Sequence, residues 1–101
     1  MFYAPVFAIK SNLNIKYSDK SVKDLKSFSH PDRTLIAKKI NYLADNFEVL
    51  KSSKKVTELK GSEFKNQFRF IIAKKIRVLF RVENSEITLL VLRVGFRKNI
   101  Y

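Results

Sequence analysis

Apolar residues in the first half of the chain recur at the spacings of one strand and two helices. Residues 14–17 alternate polar and apolar side chains, which predicts a short half-buried strand. Val22, Leu25 and Phe28 then lie three residues apart and share one face of a first helix. A second helix is predicted from about residue 31 to residue 50, since it begins at a proline, which suits a first helical turn. Its apolar stripe consists of Leu35, Ile36, Ile40, Leu43 and Phe47.

The second half of the chain changes to the period of strands. Residues 67–72, 76–82 and 86–94 predict three strands, and residues 56–59 predict a short extended segment before them. The links between the three strands are short, so we expect an antiparallel meander. On the second strand one face carries Ile76, Val78, Phe80 and Val82, and the other carries Arg77, Leu79 and Arg81. The third strand is almost wholly apolar, which indicates a central position with both faces covered.

Together these elements predict an α+β fold with the order β-α-α-β-β-β. A two-helix hairpin would pack on a small, mostly antiparallel sheet. A chain of 101 residues suits one domain, so we expect residues 1–101 to form a single unit. Residues 1–13 form an N-terminal extension to which we assign no role.

The rarity of cysteine and histidine restricts the chemistry that this chain can perform. It contains no cysteine, which excludes disulfides, cysteine nucleophiles and thiolate metal sites. His30 is its single histidine, so a histidine metal cage is excluded as well. We therefore expect no metal site and no small-molecule cofactor. The apolar opening segment is too short to span a bilayer, and we expect a cytoplasmic protein that does not enter a membrane.

The charge balance of the chain predicts an acidic partner. The formal net charge is +12, and such an excess of one sign destabilises a folded protein through self-repulsion. Nucleic acid is the leading candidate, because neutralising each phosphate releases counterions and favours binding. An acidic protein or an anionic membrane surface would also fit, and charge alone does not choose among them.

Candidate phosphate-binding groups lie around the predicted meander. Arg69 and Arg77 flank its first turn, Arg97 follows its last strand, and Tyr101 ends the given sequence. Folding would bring these groups to one exposed face, where guanidinium groups bind phosphate bidentately and stabilise charge on a reacting phosphoryl group. A tyrosine can stack on a base or hydrogen-bond a ribose hydroxyl. Further candidate RNA contacts are Lys60, Lys74, Lys75, Arg81 and Lys98.

An ordered series of short segments resembles the RelE/ParE superfamily of bacterial toxins. The segments are Leu59-Lys60-Gly61, Phe68-Arg69-Phe70, Ile76-Arg77-Val78-Leu79-Phe80-Arg81 and the run from Val91 through Gly95 to Tyr101. The resemblance covers about residues 14–101 and includes the element order. It implies the toxin half of a type II toxin–antitoxin pair, with a cognate acidic antitoxin as partner. It also implies either cleavage of mRNA on the ribosome or inhibition of DNA gyrase.

The residues at the RelE-type positions favour the mRNA-cleaving branch. Arg69, Arg77, Arg97 and Tyr101 match its pattern, which implies a ribosome-dependent endoribonuclease that inhibits translation. Ile71 stands where some members carry a second lysine, and Phe96 stands where many carry histidine or lysine. These two departures leave the general base unassigned. They also keep two alternatives open, a ParE-like gyrase inhibitor and a non-catalytic RNA-binding module or decayed toxin.

Overall fold

The computed structural model describes residues 13–64, 66–83 and 88–96 of the chain. Within these ranges there are three helices, and five strands form one sheet with helices packed against one of its faces. The strands are β1 Asn14–Tyr17, β2 Val56–Glu58, β3 Gln67–Ile72, β4 Ile76–Glu83 and β5 Thr88–Phe96. The helices are α1 Asp19–Lys26, α2 His30–Asp45 and α3 Phe47–Ser52, and a short 3-10 turn spans Ser62–Phe64.

The sheet has the strand order β1-β5-β4-β3-β2. Its last three strands form the antiparallel meander that the sequence predicts, and β1 pairs in parallel with β5. The α+β class and the mostly antiparallel sheet are therefore confirmed. Strand β5 lies inside the sheet between β1 and β4, as its apolar composition predicts, whereas the described helices pack against only one face of the sheet. Residues 86 and 87, which we expected to begin this strand, lie outside the described residues.

Two details of the predicted element order are corrected. The extended segment near Val56 is a true strand, because β2 pairs antiparallel with β3 and extends the sheet to five strands. The predicted long second helix is two helices, because it breaks at Asn46. The Asn46 side-chain amide donates to the Tyr42 carbonyl at 2.9 Å, and its backbone leaves the helical region with φ −130°. Asparagine side chains compete with helical hydrogen bonds in this way.

Side-chain hydroxyls fix where the first two helices begin. The Ser18 hydroxyl accepts a hydrogen bond from the Ser21 N–H at 3.1 Å, and Ser29 accepts one from the Asp32 N–H at 3.3 Å. Each bond satisfies one of the amide groups that a helix start leaves without a partner. Helix α1 starts directly after β1. Because β1 pairs with β5, α1 lies beside β5.

The hydrophobic core lies between the helices and one face of the sheet. Ile36, Ile40 and Leu43 of the predicted helical stripe are fully buried there, and Phe80 of β4 is fully buried opposite them. Phe80 belongs to an aromatic cluster with Phe47 and Phe68, whose ring centroids are 5.4–5.9 Å apart. Such ring pairs add to the free energy gained from burying their area. The described part of the chain contains no helix long and apolar enough to cross a membrane.

Candidate nucleic-acid interface

The sheet face opposite the helices, called the open face below, carries a cluster of four arginines around one leucine. Leu79 of β4 stands at its centre, and the register places Arg69 of β3 and Arg93 of β5 on either side. Arg77 and Arg81 flank Leu79 two residues away along β4, on the same face. We call these four arginines the arginine ring. It places Arg69 and Arg77, two of the predicted site residues, together on one face.

The arginine ring also accounts for an apolar residue on a face without helices. Leu79 is only 8% exposed, although it does not belong to the core cluster between sheet and helices. The residues that surround it in register are arginines, whose aliphatic stems can cover a leucine while the guanidinium groups stay in water. Coverage by these stems would account for the burial of Leu79, and the four neighbouring guanidinium groups concentrate positive charge on the open face.

Arg77 is the member of the ring whose geometry most favours an anionic ligand. Its Nε is buried and makes no hydrogen bond to any described residue. A buried donor of this kind costs free energy until an acceptor reaches it. Its register partner on β5 is Gly95, which has no side chain. Arg69 is its diagonal neighbour on β3, at a typical Cα separation of about 7–8 Å.

Arg81 occupies the opposite end of the ring and is paired within its own strand. Its Nε donates to the Glu83 carboxylate at 2.7 Å. Both side chains remain about one-third exposed, at 37% and 36%. Arg81, which we predicted to contact RNA, therefore lies on the same face as Arg69 and Arg77. In the absence of a ligand it is paired with the Glu83 carboxylate.

Arg93 reaches the open face because of a bulge in β5. Phe80 pairs with Val91, but Leu79 pairs with Arg93, so Leu92 is an extra residue between the two pairs. An extra residue reverses which face the following side chains occupy. Without the bulge Arg93 would point into the hydrophobic core on the same side as Val91. The bulge thus keeps the Arg93 side chain out of the core and places it in the arginine ring.

Asp24 of α1 holds Arg93 and the adjacent backbone. Its carboxylate accepts hydrogen bonds from Arg93 Nε at 2.8 Å, Arg93 Nη2 at 3.1 Å and the Val94 N–H at 2.9 Å. Burial by itself raises the pKa of Asp24, but these hydrogen bonds and the charge of Arg93 outweigh it and lower the pKa below its ordinary value. The hydrogen bond to Asp24 in turn raises the pKa of Arg93.

Helix α1 takes the place of a neighbouring strand along the second half of β5. The Ser18 N–H donates to the Val91 carbonyl at 2.9 Å, and the Ser18 hydroxyl donates to the Leu92 carbonyl at 2.8 Å. Asp24 then satisfies the Val94 N–H, and the ring of Phe28 packs on Phe96 at 5.4 Å. An open sheet edge would leave these backbone groups without partners. The α1 contacts therefore fix β5 up to its end at Phe96.

The predicted lysine contacts lie at both ends of the β3–β4 hairpin. Lys74 and Lys75 are exposed in its turn, where Ala73 and Lys74 have positive φ values of 52° and 65°. This turn lies beside Arg77. Lys60 lies at the other end of the hairpin, because the neighbouring Leu59 N–H donates to the Gln67 carbonyl at the start of β3. The turn lysines extend the cationic surface of the open face, whereas Lys60 does not adjoin the Arg77 end.

Three of the predicted residues, Arg97, Lys98 and Tyr101, lie outside the described residues. Their roles stay predictions. The last described residue, Phe96, pairs with Ile76, which immediately precedes Arg77 on β4. The described part of the chain contains no group of three or more histidine, cysteine, aspartate or glutamate side chains suited to a metal ion.

Sequence reasoning did not assign Leu79, Arg93, Asp24 or Glu83 to the site. One sequence signal was available for Glu83, because it follows Arg81 at the spacing of neighbours on one strand face. Arg93 follows a long apolar run, and only the bulge in β5 determines its face. The contact between Asp24 and Arg93 joins residues 69 positions apart, which no local pattern indicates.

Solved structures of known proteins share this fold. The chain has the same fold as solved RelE and YoeB/ParE structures, which confirms the fold that the sequence resemblance implies. The RelBE2 toxin–antitoxin complex of Mycobacterium tuberculosis matches with a TM-score of 0.64 at 15% identity, over 85% of this chain and 99% of that chain. The RelE–RelB complex of Pyrococcus horikoshii matches with a TM-score of 0.64 at 19% identity, over 87% and 98%.

A third solved structure with this fold is a bacterial toxin. The YoeB/ParE toxin of Agrobacterium tumefaciens matches with a TM-score of 0.59 at 21% identity, over 84% of this chain and 99% of that chain. The amino-acid sequence matches no protein-family model, and the curated proteins include no significant match. At these identities the structural likeness establishes the fold, and the activity has to be argued from the residues of the site.

Proposed function

We propose that this protein is the toxin of a type II toxin–antitoxin pair and that it cleaves mRNA on the ribosome. The observation that carries the proposal is the convergence of Arg69 and Arg77 on the open face of a RelE-like fold. Their guanidinium groups would hold the scissile phosphate and offset the charge that develops on it. The buried Nε of Arg77 supports this role, because a phosphate oxygen would give it an acceptor.

Two residues beyond the described part of the chain complete the proposed site. Arg97 would stabilise the transition state or the leaving 5′ oxygen, and Tyr101 would orient the 2′-hydroxyl or stack on a base. The attacking 2′-hydroxyl must lose a proton, and we propose Tyr101 or a lysine near the arginines as the group that accepts it. Lys74 and Lys75 would contact the RNA beside Arg77.

The proposed partners follow from charge and from the related complexes. The structural neighbour from M. tuberculosis is a toxin–antitoxin complex, and the neighbour from P. horikoshii is a RelE–RelB complex. A net charge of +12 would be neutralised by an acidic antitoxin covering the open face, which would block RNA at the same time. The ribosome and its message place the proposed activity in the cytoplasm. A short acidic reading frame adjoining the gene would support the antitoxin.

The proposal is tested by inducing the protein in cells and mapping cuts in their messages by primer extension. We expect cuts only within translated frames, together with growth arrest. Arg77→Ala should reduce cleavage by roughly 10²-fold, the usual loss when one group that stabilises transition-state charge is removed. Arg33→Ala is the matched control, because Arg33 is an exposed arginine on α2, away from the open face.

The outcomes separate this proposal from its alternatives. Growth arrest with intact messages and a DNA-damage response would identify a gyrase inhibitor instead. RNA binding with a steep salt dependence but without cuts would identify a binding module. Toxicity that survives Arg77→Ala combined with Arg97→Ala would refute the proposed roles of both arginines.

A further inference from the structure

The two ion pairs in the arginine ring differ in strength. Asp24 holds Arg93 through two hydrogen bonds and also accepts the Val94 N–H, and its side chain is 16% exposed. Glu83 holds Arg81 through a single 2.7 Å contact between two side chains that are more than one-third exposed. Water competes strongly for an exposed pair and weakly for a half-buried one with several hydrogen bonds.

A bound phosphate would therefore affect the two arginines differently. Releasing Arg81 from Glu83 breaks one exposed contact, and a phosphate can replace it with a bidentate pair. Releasing Arg93 would break two hydrogen bonds and leave Asp24 buried with less compensation. Arg81 is thus the exchangeable cation of the ring, and Arg93 is a fixed one.

We propose that Glu83 is an internal competitor for the RNA backbone on the open face. In the protein alone it occupies the anion site of Arg81, and it yields that site to a phosphate when single-stranded RNA binds. The inference rests on the proposed function, because it takes the open face as an RNA site. The Glu83 carboxylate then repels further phosphates, so the RNA contact extends from the turn at Lys75 past Arg77 and ends at Arg81.

The layout of charge along β4 supports a footprint of this extent. Lys75, Arg77 and Arg81 follow one another on the open face or at its edge, and Glu83 comes last. Arg77 and Arg81 are four strand residues apart, which corresponds to about 13 Å along the strand. The face therefore changes from cationic at the hairpin turn to anionic at the end of β4. A polyanion would therefore bind from Lys75 to Arg81 and would not extend past Glu83.

The test measures the affinity of the full chain for a single-stranded RNA oligonucleotide by fluorescence anisotropy. Titrations are made between low and physiological salt for the natural chain, Glu83→Gln and the control Glu48→Gln. The control raises the net charge by the same amount, but Glu48 is exposed on α3, away from the open face. Circular dichroism verifies that each variant is folded.

We expect Glu83→Gln to tighten RNA binding by roughly threefold to fivefold. This range corresponds to the free energy of an exposed ion pair, which the natural chain must break before Arg81 can bind RNA. The slope of log K against log salt should change by less than about 0.7, the value for one phosphate contact in a single strand, because Arg81 contacts the RNA in both proteins. Glu48→Gln should change the affinity by less than about twofold, since its charge is distant and screened. Arg81→Gln added to Glu83→Gln should abolish the gain, because the two residues act on one contact.

Several results would overturn the inference. Equal effects of Glu83→Gln and Glu48→Gln would show that only net charge matters. A gain that persists without Arg81 would assign the effect to another cation. If Glu83→Gln binds polyglutamate more tightly but RNA with unchanged affinity, the ligand is an acidic peptide and the inference fails. The inference also fails if no variant binds RNA.

The outcome is distinguishable from that of the proposed function. If messages stay intact but Glu83→Gln binds RNA more tightly through Arg81, the nuclease proposal fails and the competitor inference stands. If messages are cut in translated frames but Glu83→Gln behaves like Glu48→Gln, the inference alone fails.

Discussion

Replacing Asp24 by asparagine tests whether α1 holds the end of β5 by charge. Asparagine keeps the shape of the side chain and one acceptor oxygen, so the Val94 N–H can retain its partner. The change removes the negative charge of the side chain. It also replaces one of the two oxygens that accept hydrogen bonds from Arg93. Hydrogen bonds to charged groups contribute about 1.5–3 kcal/mol each, and the amide recovers part of this. Since Arg93 is 35% exposed and water compensates in part, we expect a loss of about 2 kcal/mol in the free energy of unfolding.

Urea unfolding followed by circular dichroism measures this loss, and thermal melts provide a second readout. A domain of this size loses about 4–8 °C in Tm per kcal/mol, so Asp24→Asn should melt about 8–16 °C lower. The matched control is Glu83→Gln, which removes a carboxylate from the other ion pair of the ring. That pair is more exposed, and its removal should cost about 0.5 kcal/mol or less. Equal losses in the two variants would refute the unequal strength of the pairs.

The pH dependence of the same variant checks the sign of the effect. The pKa of Asp24 is lower in the folded protein than its ordinary value. The stabilisation is therefore fully present above the ordinary aspartate pKa of about 3.9 and is lost as the pH falls through the folded value. The difference between the natural chain and Asp24→Asn should be constant from about pH 5 to pH 8 and shrink below about pH 4. A difference that grows on acidification would contradict the assignment.

Three further variants test the fold. Lys54 has φ 66° at the end of α3, so Lys54→Gly should raise the free energy of unfolding by about 1 kcal/mol, and a lower value in urea unfolding would contradict the left-handed turn. Ala73→Asn combined with Lys74→Gly supplies residues that suit their positive φ values, and should add about 1–2 kcal/mol in the same assay. Phe80→Ala removes a fully buried ring and should cost about 3–5 kcal/mol; a near-natural melting curve would refute its place at the centre of the core.

Much of the site's scaffold could be predicted because it depends on local patterns. The alternation of Arg77 and Leu79 with apolar neighbours placed both on one face of β4, and the structure confirms this assignment. The short links predicted the meander, and the meander pairs β3 with β4 so that Arg69 and Arg77 are diagonal neighbours. These features follow from the two-residue period of a strand and from loop length, which a sequence states directly.

The sequence by itself determined the element types, the cationic character and the positions of Arg69 and Arg77 on the sheet. Only the tertiary structure decided that Arg93 joins them, that Asp24 and Glu83 hold two of the four arginines, and that Leu79 is buried among them. The physical reason is that a bulge reverses the facing of β5, and that Asp24 meets Arg93 across a long stretch of chain. Local periodicity describes only neighbours along a strand. The contacts that make Arg93 a fixed cation and Arg81 an exchangeable one arise from tertiary packing.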